Sequence, residues 1–196
     1  VRNAPDDLPA EEVARLYVDY ADAAASVDDC AVFRWAAERA RDAFLEAGDP
    51  LRAAEMLLFV ANAAMRMAEP LERRIAIADL AQAELAALPP GNERSLIECD
   101  IHQYRAIWAM DGPRLDEAAA WFRRARADLD ALDPEFAAAR ADVPAIRQDI
   151  EFWEATFRVL RGDVDAGLAT TMAVARAARD EHLEGTGVTA FRNAAL

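Results

Sequence analysis

The chain has 196 residues, 54% of them hydrophobic, and its 36 acidic residues face 22 basic ones, which gives a formal charge of −14. A negative field of this size repels phosphate backbones, so we expect no nucleic-acid partner for this segment. No apolar run approaches the ~20 residues that would span a bilayer, so we expect no membrane partner either. The hydrophobic fraction is led by alanine, the best helix former, which favours an all-α fold.

All the basic residues are arginine, and the absence of lysine excludes a phosphate-binding loop, which requires one. We therefore expect no nucleotide cofactor in this segment. Cys30 and Cys99 stand alone on predicted helices, without the spacing of a disulfide framework, which favours a cytoplasmic location. The chain opens at Val1 without a charged and apolar leader, so secretion is not predicted.

Helix-breaking residues recur at nearly regular intervals along the chain. In chain order they are Pro5 to Pro9, Asp28 and Asp29, Gly48 to Pro50, Glu69 and Pro70, Pro89 to Asn92, Asp111 to Pro113, Asp133 and Pro134, Pro144, Gly162 and Asp163, and Gly185 to Gly187. The segments between them have the length of globular helices, about 8 to 20 residues. The spacing predicts eight full helices and a truncated one at residues 188–196, so we expect the parent protein to continue beyond residue 196.

Within these segments the apolar residues follow the period of a helix. One stripe contains Ile97, Ile101, Tyr104 and Trp108, a second contains Leu115, Ala118, Ala119, Phe122, Ala125, Leu129 and Leu132, and a third contains Ile146, Ile150, Trp153, Phe157 and Leu160. The alanines of the second stripe allow a neighbouring helix to approach closely, which predicts hairpin packing. Trp108 and Trp153 are expected in the core, whereas Trp121 borders its stripe and is expected in packing between repeats or at a partner surface.

Two turns predict how the hairpins are joined. Gly48 and Gly162 end helices, and Asp49 and Asp163 follow them, where a carboxylate accepts from the free amides of the next helix. Helix, Gly-Asp, helix units that recur along a chain are typical of stacked helical repeats. We therefore expect residues 1–196 to form a single domain of antiparallel helical hairpins.

The hairpin at residues 97–132 resembles a tetratricopeptide repeat. Tyr104 and Trp108 occupy the large apolar positions of its first helix, Gly112 its turn, Ala118, Phe122 and Ala125 the small, aromatic and small positions of its second helix, and Pro134 follows. Arg105 departs from the pattern, because a small residue is usual there, and in the last hairpin Gly167 replaces an alanine. The resemblance implies a right-handed superhelix of about eight to nine helices.

A second resemblance lies at residues 184–194, EGTGVTAFRNA, which are similar to a stretch in the helical-repeat region of large LuxR-type, ATP-binding transcriptional regulators. In that family a nucleotide-binding module comes first, the repeats receive an inducer or protein signal, and a C-terminal helix-turn-helix binds DNA. The resemblance implies that this chain is the middle section of such a regulator, with a role in signal transduction and transcription regulation.

No group of residues predicts catalysis or a metal site. Glu98, Cys99 and His102 form the richest group of metal-ligating types, but Glu98 and His102 are spaced as a solvent-facing pair on one helix, and two ligands do not make a site. No serine or cysteine is tied to a base by a recognisable motif. We expect no catalytic residue, no metal and no other cofactor.

Charged residues opposite two apolar stripes suggest a binding groove lined by the first helix of each hairpin. The candidate residues are His102, Arg105, Arg147, Glu151 and Arg158, accompanied by Glu98 and Glu154. Arginines in such a wall can hold a carboxylate or an acidic peptide through forked hydrogen bonds. The alternative is an ordinary solvated face with Glu/Arg pairs three or four residues apart.

The sequence therefore predicts a non-catalytic binding or sensor module of an intracellular regulator, with a protein, a peptide or a neighbouring domain as its partner. Two alternatives are a free-standing repeat protein that binds a small molecule or peptide in its groove, and a sensor with a closed pocket between repeats. Val188, Phe191 and Leu196 of the truncated helix leave an apolar face, from which we expect self-association as a homodimer.

Overall fold

The computed structural model describes residues 8–110 and 114–180, and every regular element in these two stretches is an α-helix. The helices are α1 (Ala10–Ser26), α2 (Cys30–Glu46), α3 (Pro50–Arg66), α4 (Leu71–Ala86), α5 (Asn92–Met110), α6 (Leu115–Asp130), α7 (Pro134–Ala139), α8 (Val143–Leu160) and α9 (Val164–Asp180). The predicted all-α class and helix count are confirmed, with the short α7 as an addition. Gly112, His182, the predicted truncated helix and the LuxR-like stretch lie outside the described residues. No described helix is both long enough and apolar enough to cross a bilayer.

The described residues form two compact units, which divide between Pro90 and Gly91. The first unit contains α1 to α4 and the second contains α5 to α9. In each unit, helices joined by short turns pack against each other, as expected for antiparallel neighbours. The single domain that the sequence predicts across residues 1–196 stays a prediction.

Four of the turns share one geometry. Their middle residues, Asp28, Gly48, Ala68 and Gly162, have φ values of 59°, 76°, 54° and 92°. The next residue donates its amide to the carbonyl five positions earlier, as Asp49 does to Phe44 at 2.9 Å and Glu69 to Ala64 at 2.9 Å. This is the Schellman ending of a helix. The predicted helix ends at Gly48 and Gly162 are confirmed, and Asp49 caps α3 by accepting from the Arg52 amide at 3.0 Å.

Two of these turns place a residue in the left-handed region, Gly48 without a Cβ and Ala68 with one, so they predict opposite effects of opposite substitutions. A residue with a Cβ loses roughly 1 to 2 kcal/mol in the left-handed region, and glycine costs about 0.5 to 1 kcal/mol more than alanine in chain entropy. We expect Ala68→Gly to stabilise the first unit, and Gly48→Ala to destabilise it, each by about 0.5 to 1 kcal/mol. A Cβ at Gly48 meets no atom within 4 Å, so the effect comes from the backbone alone. Thermal unfolding followed by circular dichroism measures both; a shift of the same sign in the two variants would contradict the prediction.

The core of the first unit is built largely from alanine. Fully buried alanines lie on α1, α2 and α3, among them Ala14, Ala40 and Ala53. Phe44 and Met56 fill the space between these small side chains. Small residues let helix axes approach closely, so α1 and α3 both pack on α2 over much of their length.

The second unit follows the predicted apolar stripes. Ile101, Trp108, Phe122 and Leu129 are buried. Helix α6 packs against both α5 and α8, and α9 packs against α8. Trp153 is only half-buried, at the edge of this core, which is less than the sequence predicts.

Candidate functional site

A groove of about 430 Å³ lies between α1 and α3 in the first unit. We call it the α1/α3 groove. Its lining residues are Glu11, Arg15, Val18 and Asp19 of α1, Phe44 of α2, Asp49 at the start of α3, and Arg52, Glu55, Met56 and Phe59 of α3. This volume falls in the range of ligand sites, roughly 300 to 1,000 Å³.

The two helices that form the walls of the groove run in the same direction. Near their C-terminal ends, the Arg66 guanidinium of α3 donates to the carbonyl of Ala25 in α1 at 2.8 Å. The groove lies beside the preceding turns of both helices, where α2 supplies Phe44 between them. Two parallel helices bridged by a third therefore place side chains of α1 and α3 on either side of one recess.

The floor of the groove is apolar and its walls are charged. Phe44 and Met56 are buried, and Val18 and Phe59 are half-buried against the same cluster. In the wall formed by α1, Glu11, Arg15 and Asp19 are exposed. An apolar floor below exposed charges suits a ligand that presents an apolar side chain together with polar groups.

Both guanidiniums in the groove already have carboxylate partners. Arg15 donates to Glu11, one turn away on α1, and Arg52 donates to Glu55 at 2.7 Å. Asp19 is exposed and forms no ion pair with any described residue. The groove therefore offers a carboxylate rather than an uncommitted arginine.

The groove residues that the sequence suggests lie on α5 and α8, and the α1/α3 groove was not predicted. The expectation that the first helix of each hairpin lines a groove applies to α1 and α3 as well. One sequence signal could have indicated this groove. Glutamate and arginine stand three or four residues apart near the start of both helices, Glu11 with Arg15 in α1 and Arg52 with Glu55 in α3.

His102 does not lie on an open face, and its predicted solvent-facing position is wrong. It is only 9% exposed. Its Nδ1 atom lies 2.6 Å from Oδ2 of Asp128 in α6, and its ring stacks on Trp121 with centroids 5.4 Å apart. Glu98 accepts instead from Arg94, so the predicted Glu98–His102 pair is also wrong. The physical reason is that α6 covers the face of α5 on which His102 lies.

Arg105 and Trp121 belong to the same packed arrangement. The Arg105 guanidinium carbon lies 5.0 Å from the centroid of the Trp121 ring, and that of Arg124 lies 4.5 Å from it. Cations over an indole face are attracted by its quadrupole. Trp121 is half-buried and joins α5 to α6, the two helices of one predicted hairpin, whereas the sequence predicts packing between repeats or a partner surface. The contact explains the arginine at position 105.

The three candidates on α8 fall into two groups. Arg147 donates to Asp130 of α6 at 3.1 Å, and the negative charge of Glu151 contributes to the raised pKa of Arg126, whose main cause is its hydrogen bond to Glu154. The side chains of Arg147 and Glu151 therefore face α6. Arg158 is exposed near the end of α8. A ligand role for His102, Arg105, Arg147, Glu151 and Arg158 stays a prediction, and the structure does not bring all five together.

No arrangement for metal or thiol chemistry stands out in the described ranges. No group of three His, Cys, Asp or Glu side chains is placed there to hold a metal ion. Cys99 is completely buried, and burial raises the pKa of its thiol well above the usual range. A buried, protonated thiol is a poor nucleophile.

Searches of known protein families, curated proteins and solved structures found no match to this chain.

Proposed function

We propose that this chain is a non-catalytic helical-repeat module that binds a segment of another protein, or of a neighbouring domain, in the α1/α3 groove. The observation that carries the proposal is a recess between two parallel helices, with an apolar floor, an exposed charged wall on α1 and a half-buried charged wall on α3. In a tetratricopeptide-like stack, the first helices of successive hairpins line one concave surface, and α1 and α3 correspond to two such helices. The right-handed superhelix is part of this proposal.

The character of the walls favours a protein segment over a small molecule in a closed pocket. A closed pocket presents convergent buried polar groups that fix the orientation of a ligand. In the α1/α3 groove the charged groups of α1 are exposed, and the arginines are held by side chains of their own helix. A peptide can cover the floor with one or two side chains while its backbone stays in water.

The wider role that we propose is that of a cytoplasmic signalling or transcription-regulating protein, on the resemblance of residues 184–194 to LuxR-type regulators. A ligand that fits one curvature of the stack better than another shifts the population toward that curvature and biases the neighbouring domains. The free-standing repeat protein with the same groove remains the alternative. Reading the coding sequence on both sides of these 196 residues separates the two.

The test fills the groove without changing its charge. Peptides of random sequence are selected on the chain by display, and their affinities are measured by calorimetry for the unaltered chain, for Val18→Trp and for Leu80→Trp. Val18 lines the groove, whereas Leu80 is an exposed residue of α4 outside it. We expect Val18→Trp to weaken binding at least about ten-fold, because loss of a pocket for a large apolar side chain costs on the order of 1.5 to 3 kcal/mol. Equal affinities for all three would overturn the proposal, once circular dichroism shows that both variants are folded.

A further inference from the structure

The balance of charge in the α1/α3 groove points to one class of ligand. Resting on the proposed function, we infer that the groove selects cationic peptide segments, in which an apolar side chain reaches the floor and an adjacent arginine or lysine meets Asp19. This is opposite in sign to the acidic ligand that the sequence predicts from arginines in the other unit.

Carboxylates outnumber guanidiniums around the groove. Its charged lining residues are Glu11, Asp19, Asp49 and Glu55 against Arg15 and Arg52. An acidic peptide would have to displace Glu11 from Arg15 or Glu55 from Arg52, and it would enter a negative field. A cationic peptide meets no such competition, because Asp19 pairs with no described residue.

The surroundings of Asp19 strengthen this preference. Asp22 follows one turn later on the same helix, and burial together with the negative charge of Asp19 raises the pKa of Asp22. This stretch of α1 therefore holds more negative charge than its neighbours neutralise. A cation at Asp19 relieves that repulsion, and the formal charge of −14 also attracts cationic partners from a distance.

The floor of the groove decides between a cationic peptide and a simple polyamine. Val18, Phe44, Met56 and Phe59 give it aliphatic, aromatic and thioether surface. A methionine among aromatic rings adapts to apolar side chains of different shape. A polyamine would satisfy Asp19 but leave the half-buried Val18 and Phe59 of the floor in water, whereas leucine, methionine or phenylalanine beside an arginine satisfies both.

The test uses the composition of the selected peptides and a charge reversal. We expect the peptides to be enriched in arginine or lysine next to a large apolar residue. Asp19→Lys is expected to weaken the binding of such a peptide by about five-fold or more, since loss of an exposed pair costs up to about 1 kcal/mol and the new lysine adds repulsion. Glu46→Lys makes the same change of charge on an exposed residue of α2 that does not line the groove, and we expect its effect to stay below about two-fold.

The outcomes separate this inference from the proposed function. Selected peptides that are acidic or uncharged, and that bind Val18→Trp weakly, would overturn the inference and leave the proposed function supported. Equal losses of peptide affinity in Asp19→Lys and Glu46→Lys would show that the negative charge of the whole chain attracts the peptide without a specific contact at Asp19. This result would also overturn the inference. A library without binders, or binders that ignore Val18→Trp, would overturn both.

Discussion

Replacing Gly167 with alanine is expected to lower the free energy of unfolding of the second unit by about 1 to 2 kcal/mol. A Cβ at this position would lie 2.5 Å from Cγ2 of Val159 and 2.7 Å from the carbonyl oxygen of Ala155. Val159 can rotate, but the carbonyl belongs to the α8 backbone and cannot move without shifting the helix. Overpacking of this kind costs about 1 to 3 kcal/mol or more, which exceeds the gain of about 1 kcal/mol that alanine brings to a helix.

The measurement is denaturant unfolding followed by tryptophan fluorescence. A Trp35→Phe background leaves Trp108, Trp121 and Trp153, all in the second unit, as reporters. Gly91→Ala, just before α5, is the control for the steric effect alone, because a Cβ there meets no atom within 4 Å. Adding Val159→Ala to Gly167→Ala should restore only part of the loss, since the contact with the Ala155 carbonyl remains. A Gly167→Ala variant as stable as its parent would show that α8 and α9 do not approach as closely as described.

Replacing Asp128 with alanine is expected to cost the second unit about 2 kcal/mol as well. His102 lies 9% exposed against α6, with its Nδ1 atom 2.6 Å from the Asp128 carboxylate. An ionised carboxylate only accepts, so Nδ1 donates in this hydrogen bond. Removal of the acceptor leaves a buried donor without a partner, which costs roughly 1 to 3 kcal/mol.

The control for Asp128→Ala lies two residues further along α6. Like Asp128, Asp130 pairs with a residue of another helix, in this case Arg147 of α8 at 3.1 Å, but the Asp130 side chain is 66% exposed. We expect Asp130→Ala to cost at most about 0.5 kcal/mol, because exposed pairs contribute little. His102→Phe combined with Asp128→Ala should be less destabilising than Asp128→Ala alone, since both polar partners are then gone. A double variant that is additive would contradict the coupling of His102 to Asp128.

Helical periodicity was sufficient to predict the helices, because the apolar stripes repeat at the helical period and glycine marks several of their ends. The left-handed backbone conformation of Asp28 and Ala68 was not predicted. Residues with a Cβ adopt this conformation only when the surrounding turn holds them there. The short α7 was not separated from its loop, because a helix of six residues that begins at Pro134 carries almost no periodic signal.

The partners of the charged side chains were much harder to predict than the helices. Arg147 pairs with a residue 17 positions away, and His102 with one 26 positions away. Such pairs depend on the rotation of one helix against the next, and a shift of one residue turns a side chain by about 100°. The α1/α3 groove depends further on the separation of α1 and α3, which both pack on α2 and contact each other directly through the hydrogen bond of Arg66 to Ala25. No local pattern specifies that separation.

The alanine core of the first unit has a consequence for how this chain varies under mutation. Ala36, Ala40, Ala53 and Ala63 are completely buried between helices. A single base change in an alanine codon yields valine, threonine, proline, serine, aspartate, glutamate or glycine, and all but glycine enlarge the side chain. At these positions nearly every accessible substitution overpacks a helix contact. Asp19 and Arg15, which are exposed, have no such restriction, so the charges along the groove can change by mutation while the helices beneath it stay unchanged.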